Sequence, residues 1–376
     1  MRLARLAADI SNGITRQTPG LMRVLLITND YPPRPGGIQQ YLAGLVDAID
    51  GPVRVLAPRH RDDGEEVIRD RRRFMWPTRR VRRWIESNIA EFEPDVILFG
   101  APHPLAHLGP RLRRRTGVPY GVVCHGAEIT IPAAFPVTRQ LIRHPLKRAD
   151  VLFAVSEFTR RKVERLTKRS VEVIGAGVAP AFSSGETPTS PPVVVGCVSR
   201  FVPRKGQARV LRACAELRAE GLDVQALLVG KGRDERRLRS LADRLGVPTR
   251  FEVGVAFSEL PDLYRQMHIF AMPCRSRWFG LEAEGFGVVF LEAAASGLPV
   301  VAGASGGAPE TVAPGTTGFV VDHDDALVAA LRRLVVNPQL RHEMGSAGAD
   351  RAGSRYSWPT VAARFAAGFG GAVGNE

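Results

Sequence analysis

Two glutamates stand eight residues apart in Glu284-Gly-Phe-Gly-Val-Val-Phe-Leu-Glu292 and flank two glycines. The run leads into a helix predicted over Leu291–Ser296. The exposed amides of Phe286, Gly287, Val288 and Val289 can then face phosphate or sugar oxygens ahead of it. Glu284 is expected at the mouth of a cleft and Glu292 within the helix. Phe286, Val288, Val289, Phe290 and Leu291 argue for burial rather than for a solvated surface helix.

Further upstream, Ser199-Arg-Phe-Val-Pro-Arg-Lys-Gly206 opens a strand-to-helix connection. Arg200 and Lys205, with Arg204 between them, combine a guanidinium fork with a point charge, the mixture that suits a diphosphate. The string is not a Walker loop, because no glycine stands five residues before a Gly-Lys-Ser/Thr. In Asn29-Asp-Tyr-Pro-Pro-Arg-Pro-Gly-Gly37, the pair Gly36 and Gly37 precedes a helix-like run, Ile38–Ile49. Paired glycines there let amides approach an anion, or simply make a tight turn. His125-Gly-Ala-Glu128 places an imidazole, a flexible residue and a carboxylate just after a strand.

Three strings imitate other chemistry. Gly303-Ala-Ser-Gly-Gly307 has the spacing of a serine-hydrolase nucleophile elbow, but no acid and histidine complete a triad. Asp322-His-Asp-Asp325 imitates a metal-binding Asp-x-Asp and reads more simply as a helix N-cap. His103 and His107 can share a helix face without a third ligand, and no metal is expected. Cys124, Cys197, Cys214 and Cys274 are dispersed with no CxxC pair, which suits reduced thiols.

These residues need elements to hold them. Apolar runs of four to six residues predict strands at Arg23–Thr28, Val53–Ala57, Val96–Phe99, Tyr120–Cys124, Val151–Val155 and Val171–Ile174. After the polar, proline-rich break at Ser183–Pro192 they resume at Val193–Val198, Gln225–Val229, Thr249–Glu252, Ile269–Met272, Val300–Ala302 and Gly318–Val321. Continuous rather than alternating apolarity predicts parallel sheets buried on both faces. The fold class is therefore α/β, with two doubly wound domains facing across a cleft. Ligands of such sheets bind beyond the carboxyl ends of the strands, where the strings above fall. The expected boundaries are a disordered extension over 1–21, domains over 22–188 and 189–357, and a helix and tail over 358–376 that packs back on the first domain.

Length and charge agree with that outline. The 376 residues suit two domains, and 44% hydrophobic against 24% charged residues excludes a disordered chain. No apolar run is long enough to span a bilayer, and Arg5 and Asp9 interrupt the only stretch resembling a leader. The net charge is +14, and most of the excess lies before residue 190. Eight arginines between Arg69 and Arg83 are interleaved with Phe74, Met75, Trp76 and Trp84. A second cluster, Arg139, Arg143, Lys147 and Arg148, includes Leu141, Ile142 and Leu146. Basic and aromatic residues together suit an anionic bilayer surface; no nucleic-acid-binding motif accompanies them.

With these strings in place, the chain from about Met22 to Trp358 resembles the retaining nucleotide-sugar glycosyltransferases of family 4, which have the GT-B fold. The carrying strings are Thr28–Gln39, Ser199–Gln207, Ala271-Met-Pro-Cys-Arg275, Glu284–Glu292 and Ser305-Gly-Gly-Ala-Pro-Glu-Thr311. Within the family the likeness is to GDP-mannose-dependent phosphatidylinositol mannosyltransferases, especially those acting on phosphatidylinositol monomannoside. The resemblance implies an acceptor-binding first domain and a nucleotide-sugar-binding second domain. It implies that Arg200 and Lys205 grip the donor diphosphate, Glu284 bonds the sugar hydroxyls and Glu292 holds the ribose. Gly36 and Gly37 would close over the phosphates, and His125 would lie beside the reacting centre. The amides of Phe286–Val289 would complete the donor site, with Val253, Gly254 and Val255 lining the base.

The implied partners are GDP-mannose, a lipid-linked inositol acceptor and an anionic membrane, without nucleic acid and with no cofactor required. The implied location is cytoplasmic, peripheral on the inner face of the cell membrane. Glu282 is a third acid near the donor motif. The stretches 59–95 and 127–148, where an acceptor should bind, hold no diagnostic string. Alternatives are a UDP-sugar with another acceptor, or a non-catalytic basic membrane- or nucleic-acid-binding protein.

Overall fold

The computed structural model describes residues 21–34, 36–60, 67–185 and 191–373. The extension expected over 1–21 falls outside them except for Leu21, and so does the middle of the proline-rich break.

Two all-parallel sheets organise the chain. The first contains β1 (Val24–Ile27), β2 (Val53–Pro58), β3 (Val67–Asp70), β4 (Val96–Phe99), β5 (Tyr120–Cys124), β6 (Val151–Ala154) and β7 (Glu172–Val173). The second contains β8 (Val193–Val198), β9 (Val224–Val229), β10 (Thr249–Glu252), β11 (Ile269–Met272), β12 (Val300–Gly303) and β13 (Gly318–Val321). The strand orders are β3-β2-β1-β4-β5-β6-β7 and β10-β9-β8-β11-β12-β13. Each reverses direction once, between β1 and β4 and between β8 and β11. An open α/β sheet leaves its ligand crevice at such a point. The connections after β1, β8 and β11 carry Gly36–Gly37, Arg200–Lys205 and Glu284–Gly287.

Strand composition explains the layering. Leu25 and Ile27 pack into one hydrophobic cluster of the first sheet, and Val24 and Leu26 into another on its opposite face. Both sides are covered, as the uninterrupted apolar runs predict. One strand escapes the sequence reading. β3 has only Val67 and Ile68 as apolar residues and lies at the sheet edge, held by its register with β2 (Val55 opposite Val67, Pro58 opposite Asp70). Pairing with a neighbour, not local pattern, makes it a strand.

The arginine-rich stretch divides on folding. Arg82 is buried and pairs with Glu86 at 2.5 Å, Arg80 pairs with buried Asp70 at 3.2 Å, and Arg69 donates to the Pro32 carbonyl at 2.7 Å. Arg71, Arg72, Arg73, Arg79 and Arg83 remain exposed beside the Phe74–Trp76 ring pair. In the second cluster Ile142 and Leu146 are buried and Leu141 is exposed; Phe135 and Val137, just ahead of it, are exposed as well. Among the described residues no helix is long and apolar enough to cross a membrane.

The last helix, Trp358–Val373, lies on the first sheet although it follows the second in sequence. Phe365 and Phe369 meet Phe153 of β6 with ring centroids 5.2 and 5.4 Å apart. Trp358 fills the space left by Gly44 and Gly177, where any Cβ would strike its indole.

Candidate active site

The connection from β11 to the helix Val288–Ala295 forms the centre of the site. Gly287, with φ +88°, ends the extended segment and starts this helix three residues earlier than the sequence suggests. No side chain caps the new N-terminus, so its first amides are left for other acceptors. Glu284 is held from behind by its backbone: its N–H donates to Ser305 Oγ at 3.3 Å and its carbonyl accepts from the Gly307 amide at 2.9 Å.

The Glu284 side chain is buried and meets two cations. Its Oε2 accepts from Lys205 Nζ at 2.7 Å and from Arg204 at 3.0 Å. Burial alone would raise this carboxyl, but the Lys205 and Arg204 charges outweigh it and hold Glu284 below its ordinary value. The carboxylate is therefore kept ionised and oriented. Arg204 also reaches Glu282 at 3.6 Å, which accounts for the third acid. Lys205 is equally buried, on the short turn Pro203–Lys205. Arg200 is exposed and does not share the buried Glu284 pairing, while its carbonyl accepts from Gln207 at 2.9 Å.

One helical segment along, Glu292 is buried and accepts from the Tyr264 hydroxyl at 2.9 Å. Burial pushes the Glu292 carboxyl up to about 7, only partly offset by that bond. Val253, Gly254 and Val255 occupy the loop after the edge strand β10; Val253 and Gly254 are exposed there.

His125 follows β5. Its Nε2 lies 2.9 Å from the Gly100 carbonyl, which can only accept, so Nε2 is a donor. The His125 and Gly126 amides both donate to Glu128 Oε1, and the ring packs edge-on against Tyr41 at 5.1 Å. Tyr41 belongs to the helix Gly37–Ala48, which thus joins the glycine pair to His125. Gly36 is the N-cap of that helix, and space beside Gly37 is open to 4 Å.

The two halves meet at Gly285. A Cβ there would lie 2.3 Å from the His125 carbonyl, so only glycine permits the approach. Ser156 Oγ, just after β6, donates to the Gly285 carbonyl at 2.8 Å. His125, Glu284, Lys205 and the Phe286–Val289 run are thereby gathered into one region, with Phe286 itself buried among the first sheet's residues.

The lookalike strings resolve into structural work. In Gly303–Gly307, Gly306 has φ +59° and a Cβ there would stand 1.9 Å from the Glu284 carbonyl, while Ser305 supports the Glu284 amide. The string seats Glu284; it does not present a nucleophile. In Asp322–Asp325 the capping side chain is His323, whose Nδ1 accepts from Ala326 at 3.1 Å. His103 and His107 stand 3.2 Å apart at Nδ1 and Nε2. No metal-holding group of three ligands occurs among the described residues. Sequence reasoning missed Tyr264, Ser156 and Ser305. Tyr264 and Ser156 lie far along the chain from their partners and outside any glycine- or charge-rich string, whereas Ser305 stood inside the Gly303–Gly307 string with no sign of its bond to Glu284.

Comparison with known proteins gives a consistent result. A model described as Glycosyltransferase Family 4 matches residues 23–182, and one described as Glycosyl transferases group 1 matches residues 182–351. The chain is 37% identical to the GDP-mannose-dependent alpha-(1-6)-phosphatidylinositol monomannoside mannosyltransferase of Mycolicibacterium smegmatis, over 91% of this chain and 97% of the relative. It is 35% identical to the GDP-mannose-dependent monoacylated alpha-(1-6)-phosphatidylinositol monomannoside mannosyltransferase of Corynebacterium glutamicum, over 91% and 96%. Among solved structures, the sucrose-phosphate synthase of Thermosynechococcus elongatus superposes with a TM-score of 0.78 at 19% identity, covering 94% of this chain and all of that one.

Proposed function

The chain belongs to glycosyltransferase family 4, and from that premise we propose that it transfers mannose from GDP-mannose to a hydroxyl of a lipid-linked inositol acceptor, phosphatidylinositol monomannoside, with retention of configuration. The observation that carries the reading is the near-full-length likeness to mannosyltransferases so named, 37% identical over 91% of the chain. The two-sheet GT-B architecture and the charges around Glu284 support it.

In this reading the anomeric carbon–phosphate bond breaks as the acceptor oxygen bonds the same face of that carbon. The acceptor proton passes to the departing phosphate oxygen, and GDP leaves. Lys205 and Arg200 offset the charge growing on the diphosphate, an electrostatic contribution that needs no strong protein base. Glu284, kept ionised by Lys205 and Arg204, accepts from the sugar hydroxyls. Glu292 accepts from the ribose, and the amides of Phe286–Val289 bind the remaining oxygens. Because His125 Nε2 is committed to Gly100, its Nδ1 is the ring atom offered to substrate. Gly36 and Gly37 cover the phosphates from the first sheet, and Val253–Val255 line the base. No cofactor enters the scheme.

The division into a 22–188 acceptor domain and a 189–357 donor domain follows from the same reading. The exposed arginines 71–73, 79 and 83, with Phe74 and Trp76, then rest on the inner leaflet as a peripheral contact.

One experiment tests donor, acceptor and surface together. GDP-mannose, UDP-glucose and UDP-N-acetylglucosamine are offered with phosphatidylinositol monomannoside in neutral or anionic vesicles. Transfer from GDP-mannose, faster on anionic vesicles, is expected. Preference for a UDP-sugar would sink the mannosyl assignment, and equal rates on both vesicles would remove the electrostatic contact.

A further inference from the structure

The string Ser305–Thr311 contributes more than the seat of Glu284. Its Glu310, on the short turn Ala308–Thr311 after β12, extends away from the second sheet to the start of the helix Glu157–Thr167 on the first. The two carboxylate oxygens accept from the backbone amides of Glu157 and Phe158, each at 2.8 Å. A helix start leaves its first amides without internal partners, and a carboxylate there completes them with matching charge. Ser156 serves the same helix at Thr159, at 3.1 Å. Two of the free amides are thus satisfied from the opposite half of the molecule.

The turn behind Glu310 is braced. Its carbonyl accepts from the Tyr356 hydroxyl at 3.1 Å and from Arg351 at 3.3 Å, and its amide donates to Gly307 at 3.0 Å. Gly307 in turn holds the Glu284 carbonyl. Ser156, at the other end of the clasp, holds the Gly285 carbonyl. The clasp and the candidate site therefore share one short stretch of backbone on each side.

We propose that Glu310 is a positioning residue, whose carboxylate clasps the helix at Glu157 and Phe158 to the second sheet and so fixes how closely the Glu284–Gly285 segment sits against His125. It touches no substrate and acts through the spacing of the halves. The catalytic consequence rests on the transfer reaction proposed above; the clasp itself does not.

The test uses the full chain with Glu310→Ala and Glu310→Gln, the latter keeping one acceptor oxygen. Hydrogen exchange of the peptide spanning 155–160 reads the clasp directly and needs no substrate. Exchange there should quicken in Glu310→Ala and less so in Glu310→Gln, with the strands of both sheets unchanged. Under saturating substrates kcat should fall on the order of a hundredfold for Ala, as small misplacements of reacting groups allow. Gln should recover part of it. Unchanged exchange at 155–160 in both variants would overturn the clasp even if no transfer is ever detected. Faster exchange with kcat unaltered would overturn the positioning role. If Glu310→Ala does not fold, Glu310→Gln decides on the same two readouts.

Discussion

A carboxylate sealed inside a helix makes Glu292 a measurable quantity. Burial raises it from an ordinary 4.5 to about 7, and the bond from the Tyr264 hydroxyl offsets that rise only in part. The folded state therefore holds this proton more tightly than the unfolded chain does. As pH rises from about 4.5 to about 7 the unfolded chain has already released it, so the stability contributed by this group falls across that window. Glu292→Gln cannot ionise and escapes the loss. In thermal unfolding at pH 5 to 8, the variant should gain on the unsubstituted protein as pH rises towards about 7 and gain no more above it. Parallel curves would show that Glu292 is not the titrating group. Glu284 behaves oppositely because Lys205 and Arg204 outweigh the same burial, so two acids of one motif are set apart by their neighbours alone.

At the scale of elements, the ends of the helices matter more than their interiors. The helix Gly37–Ala48 begins with no side-chain cap and with open space beside Gly37. Alanine is the better helix former there, so Gly37→Ala should leave the melting temperature unchanged or slightly raised. If donor phosphates come close to that turn, the added methyl intrudes on them and donor KM rises several-fold. An unaltered KM would remove the glycine pair from the donor site. Gly306 makes the contrast: its backbone lies against the Glu284 carbonyl, and alanine there would disturb the fold itself.

For the whole molecule, the chain order and the packing order differ. The final helix returns to the first sheet and closes its second face, with Phe365 fully buried against Phe153. Phe365→Ala should cost about 3–5 kcal/mol, as emptying a buried aromatic site does. The loss should fall on the first sheet, read as faster hydrogen exchange in β1 and β6 while β8 and β9 stay protected. Equal loosening of both sheets would mean that they unfold as one unit.

The residues themselves already carried much of this. Apolar runs predicted twelve of the thirteen strands among the described residues, most of them uninterrupted because a parallel sheet buried on both faces leaves no alternation to misread, while the edge strand Thr249–Glu252 has only Phe251 as an apolar residue. Glycines beside charges marked the connections after β1, β8 and β11, because close backbone approach restricts residue type. Tertiary structure alone decided the rest. β3 exists through its neighbour's hydrogen bonds. Three of eight arginines found partners in Asp70, Glu86 and the Pro32 carbonyl, and of these Arg82 was buried outright. Lys205 and Glu284, 79 residues apart, became a buried pair, and Glu310 found a helix start 152 residues away. Such partnerships depend on distances in space between residues whose separation along the chain carries no local signal.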